Sequence, residues 1–421
     1  MSIQKQNQAA LIIQLVVIVL LSGETMFAQT GNAGRTSQCN LPAKDPITYV
    51  SLPGHPFSTI ASADGCWLFV SVSSANPKSA NGVAMLSRAG GRITLKKVFS
   101  VEAGPTGMIM THDGKILIVA DDEYVVFMDV ARMTSGRGDP ILGYISDGNF
   151  SGSVYVSVTS DDKFLFVSDE NTESITVINL EKARAEGFKE SAKVGKIPVG
   201  EAPIALTFSP DERWLYTTSQ IAPKSFNWPI ACKPEGQNPA TAKLEYPEGA
   251  IIVVDVTRAK TDPANSVVSK VPAGCSPVRM ASSPRGDRVF VTARNSNSLL
   301  AFDTNALRND IAHARIGTVP VGAAPVGVAV ANDGKLVFVT NSNRFSSNRT
   351  ARQTMTVIDA LKTDTGEAAV LGTIPAGAFP REFGHTADGQ TLFAANYNSN
   401  ELQVIDLKRL SVDRSVRPPA Q

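Results

Sequence analysis

One unit recurs along this chain, and its spacing limits the fold more than any other feature. It reads "HPFSTIASADGCWLFVSV" from His55, "GPTGMIMTHDGKILIVADDEYVVFMDV" from Gly104, "SGSVYVSVTSDDKFLFVSDENTESITVINL" from Ser151 and "APIALTFSPDERWLYTTS" from Ala202. It returns as "SPVRMASSPRGDRVFVTARNSNSLLAFD" from Ser276, "APVGVAVANDGKLVFVTNSN" from Ala324 and "FPREFGHTADGQTLFAANYNSNELQVIDL" from Phe379. Asp64, Asp113, Asp161, Asp211, Arg285, Asp333 and Asp388 mark the turn in seven copies, about 49, 48, 50, 74, 48 and 55 residues apart. That period is the period of propeller blades.

Each copy holds a strand after an entry turn, Gly-x-x-Pro in four of the seven, then an Asp-Gly type turn, an "LFV" strand and a "VID" strand, with a further strand such as "GTVPVG" leading onward. A four-stranded blade cannot bury both faces alone, whereas seven stacked round an axis share a continuous core. The expected fold is all-β: a seven-bladed β-propeller of four-stranded antiparallel blades over residues 46–421. "DPITYVSLPG" matches a fourth strand and the last copy stops after "VIDL", so residues 47–52 are expected to close the ring in blade 7. "LSVDRSV" near the C-terminus competes for that edge.

Ahead of the repeats, Lys5 precedes an apolar run from Ala10 to Leu21 and then small and polar residues up to Ala28. Residues 1–28 therefore read as a secretory signal peptide and 29–45 as an N-terminal extension. The run is shorter than the roughly 20 residues that span a bilayer, so no span is expected in the mature chain, which would be periplasmic or secreted. Export would expose Cys39, Cys66, Cys232 and Cys275 to an oxidising compartment. In a four-stranded meander the second-to-third loops share one face with the loops leading into the next blade. Cys232 and Cys275 fall on that face and Cys39 and Cys66 on the opposite one, which predicts bridges Cys39–Cys66 and Cys232–Cys275.

The insertions in blades 1, 4 and 6 also fall on the second-to-third loop side, the largest being blade 4 at 220–249. This elaborated face is where binding residues on a rigid scaffold are expected. Phe226, Trp228 and Tyr246 give the blade 4 insertion apolar area, although a lid held for stability alone fits as well. At the mouth, Asp121, Asp122, Asp169 and Glu170 face Arg279, Arg294, Arg344 and Arg381, with Asn341 and Asn396 at the ends of "LFV" strands and His55 on a loop into blade 1. Arginine is the bidentate carboxylate clamp, so the arrangement fits an anionic or zwitterionic small molecule. Inter-blade ion pairs remain the competing reading.

A formal net charge of +1 provides no basic footprint for nucleic acid. His55, His112, His313 and His385 are split between faces, and none of the cysteines forms CxxC, so no metal site and no cofactor is expected. A monomer with a small-molecule or protein partner is expected.

"DGKLVFVTNSN" and "DGQTLFAANYNSNELQVIDL", each preceded by Gly-x-x-Pro, resemble the YVTN-type repeats of exported bacterial propellers and the bacterial lactonase propeller family. "FPREF" is similar to that family's Pro-Arg motif, and "SPVRM" is a looser copy with Arg279 one place later. In lactonase relatives a Pro-Arg-His form contributes to the pocket together with a carboxylate; here Glu382 takes the His position. The resemblance implies a ligand-binding or protein-interaction module first. Second comes a lactone hydrolase, with Arg279 and Arg381 as oxyanion donors and Glu170 or Glu382 as base. An electron-transfer subunit is a third reading, and whether the chain is an enzyme stays open at this point.

Overall fold

The computed structural model describes residues 38–74, 81–238 and 240–415. The expected signal peptide lies outside the described residues. Among the described residues, seven four-stranded antiparallel sheets form the blades, and a short extra hairpin, Ile230–Cys232 with Tyr246–Pro247, lies inside the blade 4 insertion. Blade 7 is completed by Ile47–Ser51, which pairs with Glu401–Asp406 in the register Ile47 to Ile405 and Ser51 to Glu401. Among the described residues, the C-terminal segment does not compete for that edge. Asp413 instead forms a bridge to Thr373 on the outermost strand of blade 6.

Local chemistry repeats with the sequence. In six of the turns between first and second strands, a Ser or Thr hydroxyl donates to an Asp carboxylate, as from Thr111 to Asp113, Thr159 to Asp161, Ser209 to Asp211 and Thr386 to Asp388, each at 2.6 Å. The same hydroxyl accepts the backbone N–H at the start of the next strand, at 3.0 Å for Ile116 and 3.1 Å for Thr391. Such side-chain bonds satisfy backbone groups that a tight turn leaves open. Blade 6 lacks them because Ala331 stands where the others have Ser or Thr.

Period-2 alternation in the central strands sends side chains to both neighbouring blades. Seven buried apolar clusters result, each shared by two adjacent blades around the ring. Phe290 packs towards blade 6, for example, while Val289 and Val291 pack towards blade 4. The two bridges join Cys39 to Cys66 and Cys232 to Cys275, the pairing expected from loop placement.

Candidate functional site

The innermost strand of every blade carries a bulge immediately after its first residues. A bulge re-aims a side chain and leaves a backbone N–H without a ladder partner. Hydroxyls on the second strands supply that partner: Ser71 accepts from Ser58, Thr218 from Ala205, Thr292 from Arg279 and Thr340 from Gly327. Three of these hydroxyls also donate to a carbonyl of the following blade, at Thr106, Val278 and Val326.

The bulges build two layers on the axis. The first is the position after Pro (after Ser153 in blade 3): Phe57, Thr106, Val154, Ile204, Val278, Val326 and Arg381. Phe57, Val154, Ile204, Val278 and Val326 form one buried cluster with Phe379 packed against it, so an apolar plug closes the channel. Arg381 is the one charged member. The second layer, one residue further along, is Ser58, Gly107, Tyr155, Ala205, Arg279, Gly327 and Glu382. Large and small side chains alternate there because the space is limited: a Cβ on Gly327 would stand 2.7 Å from the Arg381 carbonyl oxygen.

Arg279 and Glu382 meet across Gly327 as an ion pair, with Nε and Oε2 2.5 Å apart, and are buried to 4% and 5% exposure. The Arg279 guanidinium also lies 4.6 Å from the Tyr155 ring and 5.4 Å from Phe57. Burial pushes the Glu382 carboxyl up, and Arg279 pulls it back. Glu382 is therefore held by a cation below the plug, and Arg279 lies there with it, away from the mouth where the sequence reading put Arg279.

Above the plug, the Arg381 guanidinium lies 4.0 Å from the centre of the Phe57 ring, 5.2 Å from Tyr397 and 5.6 Å from Phe379. Cations are attracted to such ring faces. Arg344 approaches the same Phe379 at 5.8 Å and Phe345 at 5.4 Å. Among the described residues neither guanidinium has a carboxylate at ion-pair distance. Burial, and then the charge of Arg279, push the Arg381 pKa down. His55 stacks on Tyr397 at 4.6 Å and bonds its carbonyl through Nδ1 at 2.7 Å, which fixes that ring beside Arg381.

Arg294 is engaged differently. Its fork binds both oxygens of Glu235 at 2.6 and 2.7 Å, and Nη2 donates to Gln220, whose Nε2 in turn reaches Glu170 at 3.5 Å. Glu235 belongs to the blade 4 insertion, which is anchored by the Cys232–Cys275 bridge and by Asn295 on the Lys233 carbonyl, and whose Gly236 approaches Phe345 of blade 6. The insertion thus straps across the top of blade 5. Phe226 and Trp228 pack against the core between blades 3 and 4 rather than lining the mouth.

The ends of the second strands are committed within their blades. Asp121 accepts from the Ala103 N–H at 3.1 Å. Asn341 accepts from the Gly322 N–H and donates to Thr354 and Thr356. Asn396 donates to Gln403 at 3.2 Å. Asp169 bonds Thr176 at 2.6 Å and Lys196 at 3.1 Å. Asp122 is exposed, with a left-handed backbone.

Asp147, in the loop into blade 3, was not visible as a site residue. Burial, and then the charge of Asp169, push its carboxyl up to about 8, and it accepts from the Ser153 hydroxyl. Sequence reading also missed Phe57, Tyr155, Phe379, Tyr397 and Glu235; comparing the residues after the entry Pro (Ser153 in blade 3) across the copies is the signal that exposes the axial layers. No group of three or more His, Cys, Asp or Glu is placed to hold a metal ion among the described residues, and no helix there is long and apolar enough to cross a membrane.

No curated protein matches the chain in sequence. Solved structures similar to it include a chain of the hydrazine synthase of Kuenenia stuttgartiensis, 18% identical with a TM-score of 0.61, covering 89% of this chain and 98% of that one. A chain of the mitotic checkpoint complex is 12% identical with a TM-score of 0.61, covering 95% of this chain and 100% of that one. At such identities the likeness is one of fold, and fold alone does not carry function. Residues 248–412 match the family model described as "Lactonase, 7-bladed beta-propeller", and the chain is accordingly a seven-bladed β-propeller similar to that family.

Proposed function

We propose that this is an exported binding propeller whose elaborated face captures a carboxylate-bearing ligand, either a small molecule or a segment of a protein partner. The observation that carries this reading is the pair Arg381 and Arg344, two guanidiniums with no carboxylate at ion-pair distance among the described residues, packed against the same Phe379. A fixed cation beside an aromatic wall, above a closed apolar floor, binds a carboxylate at one end and an apolar body at the other. Tyr397, 5.4 Å from Phe379, and His55 stacked on it extend that aromatic wall. Glu170, through Gln220, and the Arg294–Glu235 fork form the rim. Export is supported by the two disulfides, which suit an oxidising compartment.

The test is titration of the mature chain with mono- and dicarboxylates and acidic peptides, followed by calorimetry. Saturable binding that falls at least about tenfold in Arg381→Ala and in Arg344→Ala supports the reading, since a charge-assisted hydrogen bond contributes about 1.5–3 kcal/mol. Binding unaffected by both substitutions overturns it.

A lactone hydrolase is the second reading, favoured by the family match over residues 248–412. In it Glu170 activates water and Arg381 steadies the developing oxyanion, while Glu382 is unavailable as base because it is paired with Arg279. Turnover of sugar or acyl lactones that disappears in Glu170→Gln supports it; the absence of turnover across such a panel removes it.

A further inference from the structure

The axial plug divides the channel, and the half below it is a separate chamber. A cavity of about 220 Å³ there is lined by the ends of the innermost strands, including Tyr155, Thr207, Arg279, Val328, Glu382 and His385. Its inner end is the Arg279–Glu382 pair, and its outer end lies towards the turns opposite the elaborated face. An ordered water takes about 30 Å³, so the space exceeds what one or two bridging waters need.

The polar groups at the closed end are only partly used. Arg279 Nη1 is buried without a hydrogen-bond partner among the described residues, whereas Glu382 Oε1 accepts from the Phe383 N–H at 3.3 Å and Oε2 meets Arg279 Nε, which leaves that carboxylate one further lone pair for a donor. Buried groups of this strength are normally bonded. Because Glu382 offsets Arg279, the chamber favours neither a free carboxylate, which Glu382 repels, nor an ammonium, which Arg279 and the neighbouring Arg381 repel. The complement is one flat neutral group that accepts from the guanidinium and donates to the carboxylate, with an apolar body along Val328 and the Tyr155 ring.

We propose that the lower half of the channel is a second binding site, which takes a small neutral carboxamide through Arg279 and Glu382. The amide carbonyl accepts from the Arg279 guanidinium, the amide N–H donates to Glu382, and the Tyr155 ring covers one face. This site is independent of the carboxylate reading of the elaborated face, and either can fail without the other.

The test uses the full mature chain with benzamide as probe, benzoate and benzylamine as charged analogues and toluene as the apolar one, followed by ligand-observed NMR. Saturable binding of benzamide, at least about tenfold tighter than the other three, is expected from loss of a hydrogen bond to a charged group. Glu382→Gln, which keeps the shape and removes the charge, should weaken benzamide about tenfold. Ala205→Leu, which adds bulk at a cavity-lining position beside Tyr155 and Arg279, should abolish binding while circular dichroism shows the fold retained. Arg344→Ala, above the plug, should leave it unchanged. No saturation up to the solubility limit of benzamide, equal affinity for toluene or benzoate, unchanged binding in a folded Ala205→Leu, or loss in Arg344→Ala would each overturn the proposal.

Discussion

Arg279 of blade 5 and Glu382 of blade 7 come within 2.5 Å of each other near the propeller axis, passing over Gly327 of blade 6. The pair is buried, so removing one partner leaves the charge of the other uncompensated. Glu382→Ala is expected to lower unfolding stability by about 3–5 kcal/mol, because it leaves a buried cation unpaired. The double variant Arg279→Met/Glu382→Leu should recover most of that loss. Chemical denaturation of the three proteins checks both statements.

Arg381 is the reverse case: a cation enclosed by aromatic rings without a carboxylate at ion-pair distance among the described residues. Arg381→Leu restores an apolar residue at a position where five of the seven blades already have one. It should raise stability by about 1–2 kcal/mol while removing carboxylate binding. Denaturant midpoints read against calorimetric titration separate the two effects, and a destabilised Arg381→Leu would mean that the cation is structural.

The buried Asp147–Asp169 pair gives a pH dependence of definite sign. The Asp147 carboxyl is raised to about 8 in the folded protein, chiefly by burial and then by Asp169. An unfolded aspartate titrates near 3.9, so between about pH 4 and 8 the folded state holds a proton that the unfolded state does not. Stability from this group is therefore present at low pH and lost as pH rises towards 8. Asp147→Asn should flatten that fall and be more stable than the parent at pH 8, as measured by melting temperature across the range.

The bridges close loops with sequence separations of 27 and 43 residues. By chain entropy they stabilise by about 3.5 and 4 kcal/mol. Cys39→Ala/Cys66→Ala should affect stability alone. Cys232→Ala/Cys275→Ala should in addition release the strap that Glu235 ties to Arg294, and so change ligand affinity at the elaborated face as well as the denaturant midpoint.

The period near 49 residues was enough to specify strands, blades and their number, since a blade that cannot bury its faces alone must stack. Loop placement along a meander was likewise enough to pair the cysteines, because the face of each loop follows from strand parity. The site was legible only in part. Arg381 stood out in "FPREF", but Asp121, Asn341 and Asn396, read as mouth residues, turn into their own blades to satisfy backbone and strand hydroxyl groups. Strand parity places a residue at an end; it does not say towards which neighbour the side chain leans.

What the sequence determined by itself is the architecture, because repetition and hydrophobic alternation are local properties that every copy states again. What only the tertiary structure decided is which odd residues of different copies meet. The bulge near the start of each innermost strand aims two successive side chains at a common axis, where Tyr155, Arg279, Arg381 and Glu382 come within reach of one another from blades far apart in the chain. Their charges, and the plug that sends Arg381 to one side and the Arg279–Glu382 pair to the other, follow from ring closure, which no single repeat contains.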